Sequence, residues 1–192
     1  MDSILTNKFD IYENKSLNKD IRGIIHISHG MAEHIKRYEW LTQKLNSDGF
    51  HVISIDHRGH GNRVEDNLKG YFADKDGWDY VVSDLVDIIE DSSSEFPNLK
   101  QYLIGHSMGS WIALGAMQKG IDIDCCILSG SSKISKKLIT LQRIIVTFLI
   151  TFFGKKSIGY LLDRVILGEY NKSFSPNRTP KDWISSDKQS VD

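Results

Sequence analysis

The sequence predicts an α/β fold with a largely parallel sheet, and three observations carry the prediction. Short apolar runs alternate with amphipathic stretches through the first half of the chain. Those runs are β-branched and closed by Gly- or Asp-containing turns, as strands buried on both faces are. No internal repeat or low-complexity tract interrupts the rhythm.

Ile24-Ile25-His26-Ile27-Ser28 and Val52-Ile53-Ser54-Ile55 are the first two expected strands. Between them Tyr38, Leu41 and Leu45 recur at helical spacing and Gly49 supplies a stop. The next helix is expected over roughly Trp78 to Asp91, with Val81, Val82, Leu85, Ile88 and Ile89 on one stripe. Asp84, Asp87 and Asp91 fall on its other face and read as a solvated surface. Ser92 to Asn98 reads as a break before a third strand, Tyr102-Leu103-Ile104. A helix from about Met108 to Lys119 and a fourth strand, Cys125 to Leu128, complete the series. After Ser132 strand-like runs stop and helical apolar residues continue through about Leu167, which predicts a core part over 1–132 and a second part over 133–192.

Composition limits the functional classes. With 24 Lys and Arg against 25 Asp and Glu, the net charge of -1 offers no general attraction for nucleic acid, whose binding neutralises phosphates with clustered cations. The chain is 40% hydrophobic, enough for a packed core. Its start, Met1-Asp2-Ser3-Ile4-Leu5, lacks a basic region followed by an apolar stretch, so a cytoplasmic protein is expected. The two cysteines, Cys125 and Cys126, are adjacent in an expected strand that sends them to opposite faces, and they read as small buried hydrophobes rather than as a disulfide. No metal or other cofactor is expected. His26 with His29, and His57 with His60, lie on strands and loops, not on one helix face as a zinc-binding H-E-x-x-H requires. Asp74-Lys75-Asp76-Gly77 begins like a calcium loop, but its glycine comes too early and the closing glutamate is missing. Leu138 to Phe153 is apolar yet too short between charges to span a bilayer. It suits a helix covering an apolar pocket, and the bracketing Lys136, Lys137, Lys155 and Lys156 also suit transient contact with a membrane surface.

Chemistry concentrates in Gly105-His106-Ser107-Met108-Gly109, between an expected strand and an expected helix. A G-x-S-x-G elbow needs glycine on both sides because the serine occupies a tight, strained turn. Such a turn exposes the Ser107 hydroxyl at the sheet edge and aims the Met108 amide, at a helix N-terminus, toward a developing oxyanion. His29-Gly30-Met31-Ala32-Glu33-His34 leaves the end of the first parallel strand, where the Met31 amide is the candidate second donor. Asp56-His57-Arg58-Gly59-His60-Gly61 follows the next strand and reads as a loop beneath the site. A phosphate-binding loop is poorly supported, since Gly105 to Gly109 lacks both the Lys-Ser/Thr ending and the third glycine of a dinucleotide motif.

These three motifs in order, with Tyr38 after the first, resemble the monoacylglycerol lipase and lysophospholipase branch of the α/β-hydrolases. Asn177-Arg178-Thr179-Pro180-Lys181-Asp182-Trp183-Ile184-Ser185 is similar to a segment of that branch's cap, so the resemblance covers about residues 20 to 192. It implies an α/β-hydrolase core with the start of a helical cap, and a serine esterase acting on monoacylglycerols, lysophospholipids or similar lipid-like esters through an acyl-enzyme. Ser107 is then the nucleophile, and Met31 and Met108 form the oxyanion hole. Serine rather than aspartate at the elbow argues against an epoxide hydrolase, and the apolar cap argues for a lipid-like acyl group.

The chain departs from the branch in one respect. The family order is nucleophile, acid, histidine, whereas His26, His29, His34, His51, His57, His60 and His106 all precede Ser107. Nor is the acid obvious, because Asp163, Asp182, Asp187 and Asp192 fall in cap-like sequence. The expectation is therefore an N-terminal fragment of a longer enzyme, lacking the C-terminal strands and inactive alone, ahead of a degenerate relative. A non-catalytic acyl-chain binding or interaction protein on the same fold is the alternative from another class.

Overall fold

The computed structural model describes residues 11–18, 20–64 and 68–154, together with 176, 178 and 179. The chain divides into two compact units, Met1–Lys133 and Ile134–Asp192.

The first unit is a five-stranded sheet flanked by helices. Its strands are β1 (Ile11–Asn14), β2 (Gly23–Ser28), β3 (Phe50–Ile55), β4 (Gln101–His106) and β5 (Cys125–Ser129), in the spatial order β1-β3-β2-β4-β5. The strands β2 to β5 run parallel, and β1 pairs antiparallel with β3. The mostly parallel α/β sheet expected from the sequence is thus present. The edge strand β1 gave no signal in the sequence: at four residues, two of them polar, it depends on pairing with β3.

Helices α1 (Glu39–Ser47), α2 (Gly77–Glu95) and α3 (Met108–Gln118) connect the parallel strands. Because side chains alternate along a strand, the sheet offers two apolar faces. Ile25, Ile27 and Val52 form one cluster with Ile35, and Tyr38, Leu41 and Leu45 from α1 and the turn before it pack on that cluster. On the opposite face Ile24, Ile53 and Ile55 meet Ile88 of α2, and Leu103 joins Val81, Val82, Leu85, Ile89, Ile112 and Ala113 from α2 and α3.

Three local expectations need correction. The serines at 92–94 do not break α2. Ser93 and Ser94 donate to the carbonyls of Ile89 and Glu90 four residues back, and Ser92 donates to Gln101, so the helix runs on to Glu95 before Pro97. Asp84 is not solvated. It is buried and accepts a bidentate pair of bonds from Arg58, at 2.7 and 2.9 Å, and a contact from Arg63 at 2.8 Å. Cys125 is exposed and Cys126 half-buried, both as free thiols; among the described residues β5 has a neighbour on only one side.

The second unit contributes α4 (Lys136–Phe153). Thr140, Ile144, Thr147, Phe148, Thr151 and Phe152 share one of its faces at helical spacing, and the rings of Phe148 and Phe152 lie 4.5 Å apart. Among the described residues, no helix is long and apolar enough to cross a membrane. The expected continuation to Leu167, the acidic residues 163, 182, 187 and 192, and all of the 177–185 segment except Arg178 and Thr179 lie outside the described residues.

Candidate active site

The parallel strands end together along one sheet edge. Ser28 pairs in register with Gly105, and His106 pairs with Ser129. The next residues along the chain, His29, Ser107 and Gly130, therefore emerge side by side, joined by Asp56 after β3. Ser107 occupies the turn between β4 and α3 with φ 51° and ψ -118°, a conformation that costs a non-glycine residue about 1–3 kcal/mol. Tertiary structure holds it there. The Ser107 amide donates to the Ser129 carbonyl at 2.8 Å, and the Ser107 carbonyl accepts the Ser110 amide at 2.9 Å and its hydroxyl at 2.6 Å.

Both elbow glycines are sterically required. A Cβ at Gly105 would lie 2.7 Å from the Gly109 carbonyl oxygen. At Gly109 it would lie 2.0 Å from the Ser28 carbonyl oxygen, so the bare backbone of α3 rests directly on the end of β2. The Ser107 side chain is exposed, and no described group hydrogen-bonds its hydroxyl.

The loop after β2 brings the other expected residues to the same place. A Cβ at Gly30 would come within 3.3 Å of the Ser107 Cβ, which sets the 29–34 loop beside the serine. Met108 is the first residue of α3, so its amide has no partner within the helix. Met31 follows Gly30 in an exposed turn.

Carboxylates organise these loops, a feature that the sequence reading missed. Glu33 accepts the Gly30 amide, the Tyr38 hydroxyl at 2.7 Å and Arg37 at 2.8 Å. Burial, aided by the Glu33 carboxylate, pushes the Tyr38 phenol well up, so it stays a donor. Asp56, 2% exposed, accepts the amides of Ile35 at 2.8 Å and Asn62 at 2.9 Å, which ties the 29–34 loop to the loop after β3. A Cβ at Gly61 would collide with this carboxylate. Glu33 stands three residues after Gly30 and Asp56 ends a strand, but nothing local in the sequence says which amides they take.

Five of the histidines are held by partners away from the serine hydroxyl. His29 Nε2 accepts the His57 amide at 2.9 Å, so its proton sits on Nδ1 and is donated to the Gly30 carbonyl at 2.8 Å. His57 shares a hydrogen bond with the Ser28 hydroxyl at 2.9 Å, and its ring lies 4.3 Å from that of His29. His26 pairs with Gln101, His51 with the Ser16 amide, and His60 with the Arg58 carbonyl. Burial lowers His26 and His29 to about 4 and His57 well below its ordinary value, so all three are neutral at pH 7. Among the described residues no group of His, Cys, Asp and Glu could hold a metal ion.

A parallel sheet with an antiparallel edge strand, and a serine at a strained strand-to-helix turn beside the loop from the neighbouring strand, define the α/β-hydrolase class. Residues 19–192 match the Hydrolase_4 family, described as serine aminopeptidase, S33, and the chain belongs to that family. It is 31% identical over 129 residues to a monoacylglycerol lipase of Mycolicibacterium smegmatis, covering 62% of this chain and 41% of that protein. It is 28% identical over 169 residues to the human monoglyceride lipase, covering 86% and 52%. Among solved structures, it is similar to a thermostable carboxyl esterase from Bacillus coagulans in complex with glycerol. The TM-score is 0.76 at 29% identity, over 93% of this chain and 57% of that one. The chain spans about half the length of these proteins, from 41% to 57%. The relatives named as monoacylglycerol and monoglyceride lipases agree with the resemblance to the monoacylglycerol lipase and lysophospholipase branch carried by the three motifs.

Proposed function

We propose that the chain carries the nucleophile and oxyanion half of a serine ester hydrolase acting on lipid-like carboxylic esters, monoacylglycerols or lysophospholipids, through an acyl-enzyme. One observation carries the reading: the strained, exposed Ser107 at the head of α3 with Gly30 against its Cβ. In this reading the Ser107 Oγ attacks the ester carbonyl carbon, and the Met31 and Met108 amides donate to the oxyanion. The alcohol leaves with a proton, and water then releases the fatty acid. The curated relatives named as monoglyceride lipases and as a probable lysophospholipase support the substrate class. The apolar face of α4 in the 133–192 part supports a long acyl group.

The same reading assigns no general base to the 192 residues. All seven histidines precede Ser107, and six have partners other than its hydroxyl. Removing the histidine of a Ser-His pair costs about 10⁶ in turnover in a protease case. The chain assayed alone is therefore expected to show negligible turnover of a p-nitrophenyl ester, about 10⁶ below that of an intact Ser-His pair. It is also expected to react slowly with an alkyl fluorophosphonate at Ser107, faster as hydroxide rises, with the reaction abolished in Ser107→Ala. Rapid Ser107-dependent turnover would overturn the assignment of no base. An unreactive Ser107 together with saturable fatty-acid binding would replace the enzyme reading with that of an acyl-chain binding protein.

A further inference from the structure

The turn that carries Met31 is closed by a single side chain. Glu33 Oε1 accepts both the Gly30 amide and the Tyr38 hydroxyl, and Oε2 accepts Arg37. The carboxylate is nearly enclosed, with 7% of the side chain exposed, and each of its oxygens faces a donor. Between Gly30 and Glu33 the backbone passes through Ala32 at φ 59°, a conformation that a residue with a Cβ keeps only when its surroundings enforce it. The Gly30–Glu33 bond closes a ring around that residue and supplies the enforcement.

The ring also selects a donor. The Gly30 amide is consumed by Glu33, whereas no described group accepts the amide of Met31. Gly30 itself is wedged between Glu33 and Ser107, since a Cβ there would lie 2.8 Å from Glu33 Oε1 and 3.3 Å from the Ser107 Cβ. The carboxylate thus sets how far the turn stands from the serine. We infer that Glu33 is a positioning residue: it occupies the Gly30 amide, holds Ala32 in the left-handed region and thereby leaves the Met31 amide as the donor beside Ser107. The inference rests on the reading of Ser107 and Met31 proposed above.

The test uses the 192-residue chain, with hydroxide at alkaline pH as the base. With an alkyl fluorophosphonate, a bond forms between Ser107 Oγ and phosphorus, the P–F bond breaks, fluoride leaves and the serine proton passes to hydroxide. Negative charge gathers on the phosphoryl oxygen as this happens, so the rate at saturating probe reports the oxyanion donors. Glu33→Ala is expected to lower that rate by about 10²-fold, the cost of roughly 1 Å of misplacement. Glu33→Gln retains an oxygen for Gly30 and Tyr38 and is expected to recover most of it. A merely structural role would lower the fraction of protein labelled and leave the rate constant alone. Labelling of the native chain with an unchanged rate constant in Glu33→Ala would overturn the inference and leave Ser107 as nucleophile.

Amide hydrogen exchange supplies an arm that needs neither labelling nor a folded variant. In the native chain the Gly30 amide is expected to exchange at least about tenfold more slowly than that of Met31, as a hydrogen-bonded donor beside a free one does. Equal rates would overturn the inference. If the native chain fails to label at Ser107, the nucleophile reading falls, and the exchange pattern alone decides whether Glu33 holds the turn.

Discussion

Strand β2 buries all six of its residues, whereas β5, also a run of mostly apolar residues, buries none completely. The difference lies in neighbours. β2 has β3 and β4 on its flanks, α1 residues packed on one face and α2 on the other. Among the described residues β5 has only β4 beside it, and of its side chains only Cys126 and Leu128 pack into the α2–α3 cluster, so Ile127 on the opposite face is 56% exposed. Similar local sequence therefore yields a rigid centre and an open edge. The candidate chemistry belongs to the centre, where Gly30 and Ser107 meet, and a strained serine can be held only where several elements converge on it.

The largest effect is expected where centre and elbow touch. In an isolated helix, glycine to alanine is favourable by about 1 kcal/mol. At Gly109 the new methyl would lie 2.0 Å from the Ser28 carbonyl oxygen and 2.5 Å from that of His29. Backbone cannot yield as a side-chain tip can, so Gly109→Ala is expected to destabilise by more than about 3 kcal/mol. Denaturant midpoints measure this, and an unchanged midpoint would mean that α3 slides off β2 without cost and that the centre is not rigid.

Acid should also act on the centre first. His26 and His29 lie on and just after β2, and burial holds both at about 4, below the ordinary 6.5. Between those values the unfolded chain binds protons that the folded chain refuses, so stability falls as pH drops from about 6.5 to about 4. For His26 alone the loss is about 3 kcal/mol. Urea unfolding at a series of pH values checks this, and the slope should shrink in His26→Leu. A slope of zero across that window would show the histidines to be wetter than their burial implies.

The same contrast explains what was legible in the sequence. Strands β2, β3 and β4 and the elbow were readable because their signals are local: β-branched runs, a helical stripe and the small residues that a tight turn requires. Asp84 was misread because spacing places it on the polar side of α2, while the arginines that bury it, Arg58 and Arg63, come from a loop more than twenty residues earlier. The serines at 92–94 suggested a loop by composition, but hydroxyls that bond back to the preceding turn let a helix continue. Glu33 and Asp56 stood inside the quoted motifs, yet their role depends on amides brought to them by the fold. Exposure of Cys125 was invisible for the reason that sets β5 apart from β2: a strand's own residues do not reveal how many neighbours it has.

The smallest effect is expected at that edge, where it is also the most discriminating. Truncating a fully buried isoleucine to alanine costs about 2–5 kcal/mol, because transfer and cavity contributions add. Ile127 is already more than half in water, so Ile127→Ala removes little burial and leaves no enclosed cavity. A loss below about 1 kcal/mol is expected, measured as a shift in denaturant midpoint. A loss as large as that of a buried residue would mean that the open face of β5 is covered in solution. An edge strand without lysine or proline is open to such pairing. Dilution then identifies the cover: a midpoint that falls with protein concentration points to a second copy on β5, and a constant one to another part of the same chain.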